Sequence, residues 1–310
     1  MSTLAIEVHD LGKTFPGGVV AVNGLDLEIP TDALYGLIGR NGAGKTTTIR
    51  MLMGLLRPDR GSARVLGADL LTAPRAVRAR VAYVSQAQQL HAWMTLEELC
   101  HYASHFYEKW DTGYARDLAR RIEVPWDRQV GLLSGGQQRN AAILLAFAAR
   151  PDVLLLDEPA AGLDPVARRQ FIDEIVGVLT RSEGCTVLFS THILSDLERI
   201  AEYVGIMDRG RLVASGRLED FQSKTKRVQV IFDNVSRPGF TMPVIPGTIR
   251  SHVEGPVLTA VVRLESESQL DEARRIPGVR VNVFPVGLEE MFIDLFGPGS
   301  RSEFSEDGPC

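Results

Sequence analysis

Two short runs of this chain combine residue types that handle phosphate. Residues 39–47 read GRNGAGKTT and fit G-x-x-x-x-G-K-[ST] from Gly39 to Thr46. Gly42 and Gly44 let the backbone curl so that successive N–H groups face an anion, and a helix beginning near Lys45 adds its positive dipole end. Lys45 is then placed for β- and γ-phosphates, and the Thr46 hydroxyl for Mg²⁺. Gly39, Arg40, Asn41, Ala43 and Thr47 complete the expected nucleotide loop. Further on, residues 153–159 read VLLLDEP, an apolar run ending on Asp157 and Glu158. Adjacent carboxylates there suit two tasks. Asp157 suits a metal ion, usually through water, and Glu158 could polarise an attacking water as general base.

These residues need elements to hold them. ALYGLIG, just before the loop, is apolar and strand-like. KTTTIRMLMGLL, just after it, places Ile49, Leu52, Met53 and Leu56 on one helical face. Strand, glycine loop and helix together form the context a phosphate cradle requires. VLLL has the composition of a strand buried on both faces. The fold class expected is α/β with a P-loop NTPase core. A third run, LSGGQQR at 133–139, starts another helix, with Ser134 as N-cap and Pro151 as its stop. Gly135 and Gly136 at that start cost about 1 kcal/mol each relative to alanine if helical. Close backbone approach to an anion offsets such a cost. Since the chain already has one phosphate loop, the second anion site points to a phosphate presented by another copy of the fold.

LSGGQ shortly before VLLLDEP resembles the signature of ABC-transporter ATPases, and the other marks of that family follow in order. Phe15 stands where the family places an aromatic that stacks on adenine. Gln86, in AYVSQ, matches the Q-loop glutamine, AGLDP at 161–165 the D-loop with Asp164, and STH at 190–192 the switch histidine, His192. The resemblance covers about residues 1–220. It implies a core with a helical subdomain at about 87–152 and an antiparallel N-terminal β subdomain. It also implies ATP bound between two head-to-tail domains. Glu158, His192 and Gln86 would be catalytic, and Thr46, Gln86 and Asp157 would serve Mg²⁺. Ser134, Gly135, Gly136, Gln137 and Asp164 would act on the partner's ATP. Two positions depart from the family pattern. Phe15 replaces the commoner tyrosine, and Ala161 replaces a serine or threonine, which removes a hydroxyl near the partner's site.

The three tryptophans, Trp93, Trp110 and Trp126, all fall between Gln86 and the end of the signature helix. In the family this interval receives the coupling helices of the membrane subunit. Tyr102, Phe106 and Tyr107 have helical spacing, which suits a core, whereas aromatics with polar tips also suit interfaces. FYEKWD at 106–111 resembles a pattern in ABC-2-type exporter ATPases of the drug and antimicrobial-peptide kind.

Beyond about 224 the pattern changes. KRVQVIFD, VLTAVVRL and VRVNVFPV suggest strands, SQLDEARRIP a short helix, and LEEMFIDLF a closing amphipathic helix. A small α+β domain is expected at 224–297, and the polar tail 298–310 is expected to be disordered.

Composition is that of an ordinary globular chain, with 310 residues, 45% hydrophobic and 24% charged, a length that suits two domains. A net charge of −5 weighs against a nucleic-acid partner. MSTLAIEVHD does not read as a signal peptide, and AAILLAFAA at 141–149 is too short to span a bilayer. Cys100, Cys185 and Cys310 form no CxxC pair and read as free thiols. His101 and His105, four apart beside Cys100, lack a carboxylate that would complete a known metal motif. The expectation is the ATPase subunit of an exporter, using ATP and Mg²⁺ and peripheral on the inner face of the cell membrane. Its partners would be a separate permease and a second ATPase subunit, a copy of itself in preference to a different chain. The alternatives are an importer ATPase and a soluble ABC ATPase acting on ribosomes or DNA.

Overall fold

The computed structural model describes residues 3–69, 72, 77–86, 90–161, 163–179, 184–233 and 243–287. The chain divides into two compact units, Met1–Gly216 and Arg217–Cys310.

The first unit contains two sheets. One is antiparallel, in the order β2-β1-β4-β5, from β1 (Leu4–Phe15), β2 (Val19–Pro30), β4 (Arg60–Val65) and β5 (Ala68–Asp69). The other has six strands in the order β10-β9-β3-β8-β7-β6. Its members are β3 (Leu34–Gly39), β6 (Val81–Val84), β7 (Val153–Asp157), β8 (Thr186–Thr191), β9 (Tyr203–Asp208) and β10 (Arg211–Arg217). The pairs β3·β8, β3·β9, β7·β8 and β6·β7 are parallel. Every residue of β3, β7 and β8 is buried, as strands with both faces covered must be. Within the six-stranded sheet, among the described residues, only the β9–β10 connection is a tight turn, and Arg209 (φ 46°) and Gly210 (φ 80°) give it the left-handed pair such hairpins need. Parallel registry brings the ends of five neighbouring strands, β9, β3, β8, β7 and β6, to one edge, the edge where open α/β sheets bind ligands. The P-loop α/β core and the antiparallel N-terminal sheet are both present.

Helix α1 (Lys45–Leu52) follows β3 and buries Ile49, Met51 and Leu52 against the first unit's core. Between β6 and β7 run α2 (Leu96–Ser104), α3 (Thr112–Arg121) and α4 (Gly135–Ala148). A Thr95–Glu98 capping box starts α2, and Asp111 accepts the Tyr114 N–H to start α3. FYEKWD is the link between α2 and α3. Helices α5 (Pro165–Leu179) and α6 (Leu194–Ile200) follow β7 and β8.

The second unit opens with α7 (Leu218–Lys224) and has one antiparallel sheet, β12-β13-β11-β14. Its strands are β11 (Thr225–Phe232), β12 (Thr248–Glu254), β13 (Val257–Arg263) and β14 (Val279–Pro285), with a short helix α8 (Asp271–Arg275) before the last. One face of the sheet carries a separate core of Val228, Val230, Phe232, Leu258, Ala260 and Val262, closed by Leu270 and Ala273. Sequence patterning missed β12 because it is an edge strand exposed along nearly its whole length, with no apolar alternation. The expected closing helix at 288–296, the tail and Cys310 lie outside the described residues. Among the described residues, no helix is long and apolar enough to cross a membrane. Cys100 and Cys185 are buried free thiols, both pushed up to about 12 by burial.

Candidate functional site

The glycine loop turns through Gly42 (φ 83°) and Gly44 (φ 105°), conformations that L side chains resist. A Cβ at Gly44 would also collide with the backbone oxygen of Ala21, so β2 closes against the loop. Gly44 is the N-cap of α1 and no side chain caps that helix, which leaves its first-turn N–H groups for an anion. Arg40, Asn41 and Gly42 are exposed at the rim, Ala43 is buried, and Thr47 is half-buried.

Lys45 is 5% exposed and donates to the carbonyls of Gly39 at 2.6 Å and Arg40 at 3.3 Å. It also pairs with Glu158 Oε1 at 3.2 Å, and Glu158 is itself only 6% exposed. The other carboxylate oxygen, Oε2, accepts from His192 Nδ1 at 2.5 Å. Lys45, Glu158 and His192 therefore form a continuous chain of contacts. Glu158 has φ 51°, a left-handed conformation uncommon for a non-glycine residue, and its position just past β7 turns its side chain into this chain.

Asp157 is fully buried at the end of β7. Its Oδ1 accepts from Thr46 Oγ1 at 2.9 Å and from Ser190 Oγ at 3.0 Å. Its Oδ2 is buried without a hydrogen-bond partner. Burial raises the pKa of this carboxyl and the Glu158 charge adds to that, while the Thr46 and Ser190 hydroxyls oppose it. Ser190 also accepts the Glu158 backbone N–H at 3.1 Å, so one hydroxyl orders both acidic residues. In the sequence Ser190 stands only as part of STH and carries no role of its own. The signal available was registry: Ser190 is level with Asp157 on adjacent parallel strands.

Gln86 is exposed two residues past β6, which is level with Leu156 at Val84, so it lies at the same sheet edge as Glu158. Phe15 ends β1 at 38% exposure, beside the turn leading into β2. Among the described residues, no hydrogen bond or ion pair joins either to the Lys45–Glu158–His192 chain.

The signature residues gather elsewhere. Ser134 caps α4 through a reciprocal box: its Oγ accepts the Gln137 N–H at 3.2 Å, and its own N–H donates to Gln137 Oε1 at 3.1 Å. Space beside Gly135 and Gly136 is open. Asp164 accepts the N–H groups of Val166 and Ala167, starting α5. Gly136, Gln137 and Asp164 line a cleft of about 450 Å³ with Arg121, Glu123 and Asn140. Among the described residues, no side-chain hydrogen bond joins this group to the Lys45 group.

The aromatics divide as well. Trp93, Tyr102 and Phe106 are 67%, 44% and 56% exposed. With Met94, Glu98 and His101 they border a largely apolar groove of about 670 Å³. The buried stripe of α2 is Leu96, Leu99 and Cys100, which turns Tyr102 outward despite its helical spacing. Trp110 instead stacks on Tyr107 and donates to Thr112 Oγ1 at 3.1 Å.

A profile of the ABC transporter family matches residues 22–161. The daunorubicin/doxorubicin resistance ATP-binding protein of Streptomyces peucetius is 38% identical over 71% of this chain and 68% of its own length. The Nod factor export ATP-binding protein I of Burkholderia orbicola is 31% identical over 96% of this chain and 98% of its own length. Among solved structures, an ATP-binding subunit of an ABC transporter superposes with a TM-score of 0.65 at 31% identity, covering 71% of this chain and 92% of that one.

Proposed function

The chain is a member of the ABC transporter family, an ATP-binding subunit with ATPase activity, and from that premise we propose that it drives a separate permease as one half of a head-to-tail pair. The observation that carries this is the separation of two phosphate-suited surfaces on one unit. The uncapped α1 start with Lys45, Thr46, Asp157 and Glu158 forms one, and the Ser134–Gly136 helix start beside Asp164 forms the other. Two copies facing in opposite senses would bring each surface against the other's complement.

In this reading residues 39–47 grip the phosphates of ATP, and Phe15 meets the adenine. Thr46, Asp157 and Gln86 would hold Mg²⁺, and the orphaned Asp157 Oδ2 beside the Thr46 hydroxyl is an oxygen donor set of the kind that ion takes. When bound, the ion neutralises charge on the β- and γ-phosphates. Lys45 must exchange its Glu158 contact for phosphate oxygens, and that exchange frees the Glu158 carboxylate to accept a proton from water. His192, already touching Glu158, holds the phosphate side of the site. Ser134, Gly135, Gly136, Gln137 and Asp164 act on the partner's nucleotide.

Export is favoured by relatives named for drug resistance and for Nod factor export. The groove of Trp93, Tyr102 and Phe106 is the surface offered to the permease. Such a subunit sits on the inner face of the cell membrane, paired with an identical copy.

The test is Glu158→Gln. Loss of the general base should lower turnover about 10²–10⁴-fold while ATP still binds, so a dimer should accumulate on size-exclusion chromatography with saturating ATP. A monomer under those conditions, or wild-type turnover, would overturn the proposal.

A further inference from the structure

Three helices each bring one piece to the signature cleft. Arg121 comes from the end of α3, Gly136 and Gln137 from the start of α4, and Asp164 from the turn into α5. Such pieces can act on one phosphate only if the helices keep a fixed relative position. Helices α3 and α4 are joined at both ends. Near the cleft, Gln137 Nε2 donates to the Glu123 carbonyl at 3.3 Å and Asn140 Nδ2 to the Ile122 carbonyl at 3.5 Å. At the far end Asp111, the last residue of FYEKWD, accepts from Arg150 at 2.6 Å and donates its N–H to the Ala148 carbonyl. Between α4 and α5, Phe147 stacks on Phe171 at 6.3 Å, and apolar burial of that kind is non-directional.

A row of charged side chains supplies direction by carrying α3 across to α5. The Arg150 guanidinium lies 4.5 Å from the centre of the Tyr114 ring, and that of Arg121 lies 5.8 Å from it. The Tyr114 hydroxyl donates to Glu174 Oε2 at 2.9 Å, and Arg121 donates to Glu174 Oε1. Glu174, on α5, has a side chain only 14% exposed. Its two oxygens are thus engaged by residues about two turns apart on α3. Two contacts to one carboxylate fix orientation as well as distance. Asp164 lies about 15 Å up the same helix from Glu174.

We propose that Glu174 is a positioning residue for the surface that acts on the partner's ATP. Its paired contact with Tyr114 and Arg121 sets how α5, with the Asp164 turn at its start, sits against the Ser134–Gly136 helix start. FYEKWD enters the same row through Asp111, which holds Arg150 beside Tyr114. This rests on the head-to-tail reading, and the test separates the two.

The full chain carrying Glu158→Gln is the parent, and the protein concentration for half-dimerisation in saturating ATP is read by analytical ultracentrifugation. Adding Glu174→Ala should raise that concentration about tenfold, as loss of a hydrogen bond to a charged group does. ADP affinity, which reads the monomer's own phosphate loop, should stay at the parent value. Glu174→Gln keeps an oxygen for Arg121 and turns an amide N–H to the Tyr114 oxygen, so it should restore dimerisation. Tyr114→Phe removes one contact and keeps the ring beside both guanidiniums. It should give a smaller fall in the same direction at the parent's melting temperature, which keeps the test decisive if Glu174→Ala folds poorly. Dimerisation unchanged in both Glu174→Ala and Tyr114→Phe would overturn the inference. So would a parallel fall in ADP affinity, which would make Glu174 a support for the fold, or a Glu174→Gln protein as weak as Glu174→Ala. Ser134→Arg in the same parent is the control. If it leaves the dimer intact, or if the parent forms none, the head-to-tail reading itself fails and the inference falls with it.

Discussion

Asp157 is a carboxylate kept where a carboxylate is expensive. Its pKa is raised, burial being the main cause. A group with a raised folded-state pKa stabilises the protein below its unfolded value, and that contribution is lost as pH rises through the folded value. At neutral pH the wild type therefore carries the desolvation of a charged Asp157. Asp157→Asn keeps an oxygen to accept from Thr46 and Ser190. It should melt at a higher temperature than wild type at neutral pH in EDTA, while Mg²⁺-dependent hydrolysis is lost. The gap should close as pH falls through the raised pKa, and melting curves across a pH series check both sign and trend. At this scale the sequence was most legible where chemistry demands a fixed spacing. Lys45, Thr46, Asp157 and Glu158 were readable because a phosphate loop and an acidic strand end have characteristic neighbours. Ser190 was not, since it matters only through strand registry with β7, which a linear pattern does not reveal.

Helix α2 shows how an element divides similar residues between unlike tasks. Leu96, Leu99 and Cys100 take its buried stripe, so Tyr102 faces out and pairs edge-on with Phe106 at 5.1 Å. Trp93, ahead of the helix, joins them at the groove, while Trp110 on the α2–α3 link is half-buried against Tyr107. Trp93→Ala should leave the melting temperature of the free subunit nearly unchanged, as exposed substitutions do. It should weaken co-purification with the permease by about 2–4 kcal/mol of binding. Trp110→Ala should do the reverse, lowering melting temperature while association persists. The same pair of measurements on both variants decides the matter, and permease association lost only with Trp110→Ala would move the docking surface to the α2–α3 link. Helical spacing in the sequence marked these aromatics as one group. It could not separate them, because three of the helix's other residues decide which face is inward.

The chain as a whole joins two units with separate cores, one shared by a largely parallel sheet and an antiparallel one, the other built on a single antiparallel sheet. The parallel core was legible because its strands are continuously apolar, and three strands of the second unit were legible by alternation. The exposed edge strand β12 and the leading helix α7 carried no such signal. Every nucleotide-facing residue assigned in the sequence lies in the first unit. One further consequence follows from the arginine-rich make-up of the chain, which has five lysines: Lys13, Lys45, Lys109, Lys224 and Lys226. Lys109 and Lys224 have side chains 47% and 37% exposed, and Lys13 15%, against 5% for Lys45. A water-soluble acylating reagent should therefore mark Lys109 and Lys224 first and Lys45 last, as read by peptide mass spectrometry. Lys45 is shielded by Glu158 and two carbonyls, so its acylation rate becomes a clock for the opening of that contact. Because Lys13 and Lys109 of the same unit lie outside the phosphate-loop segment 39–47, they supply an internal standard within the same digest.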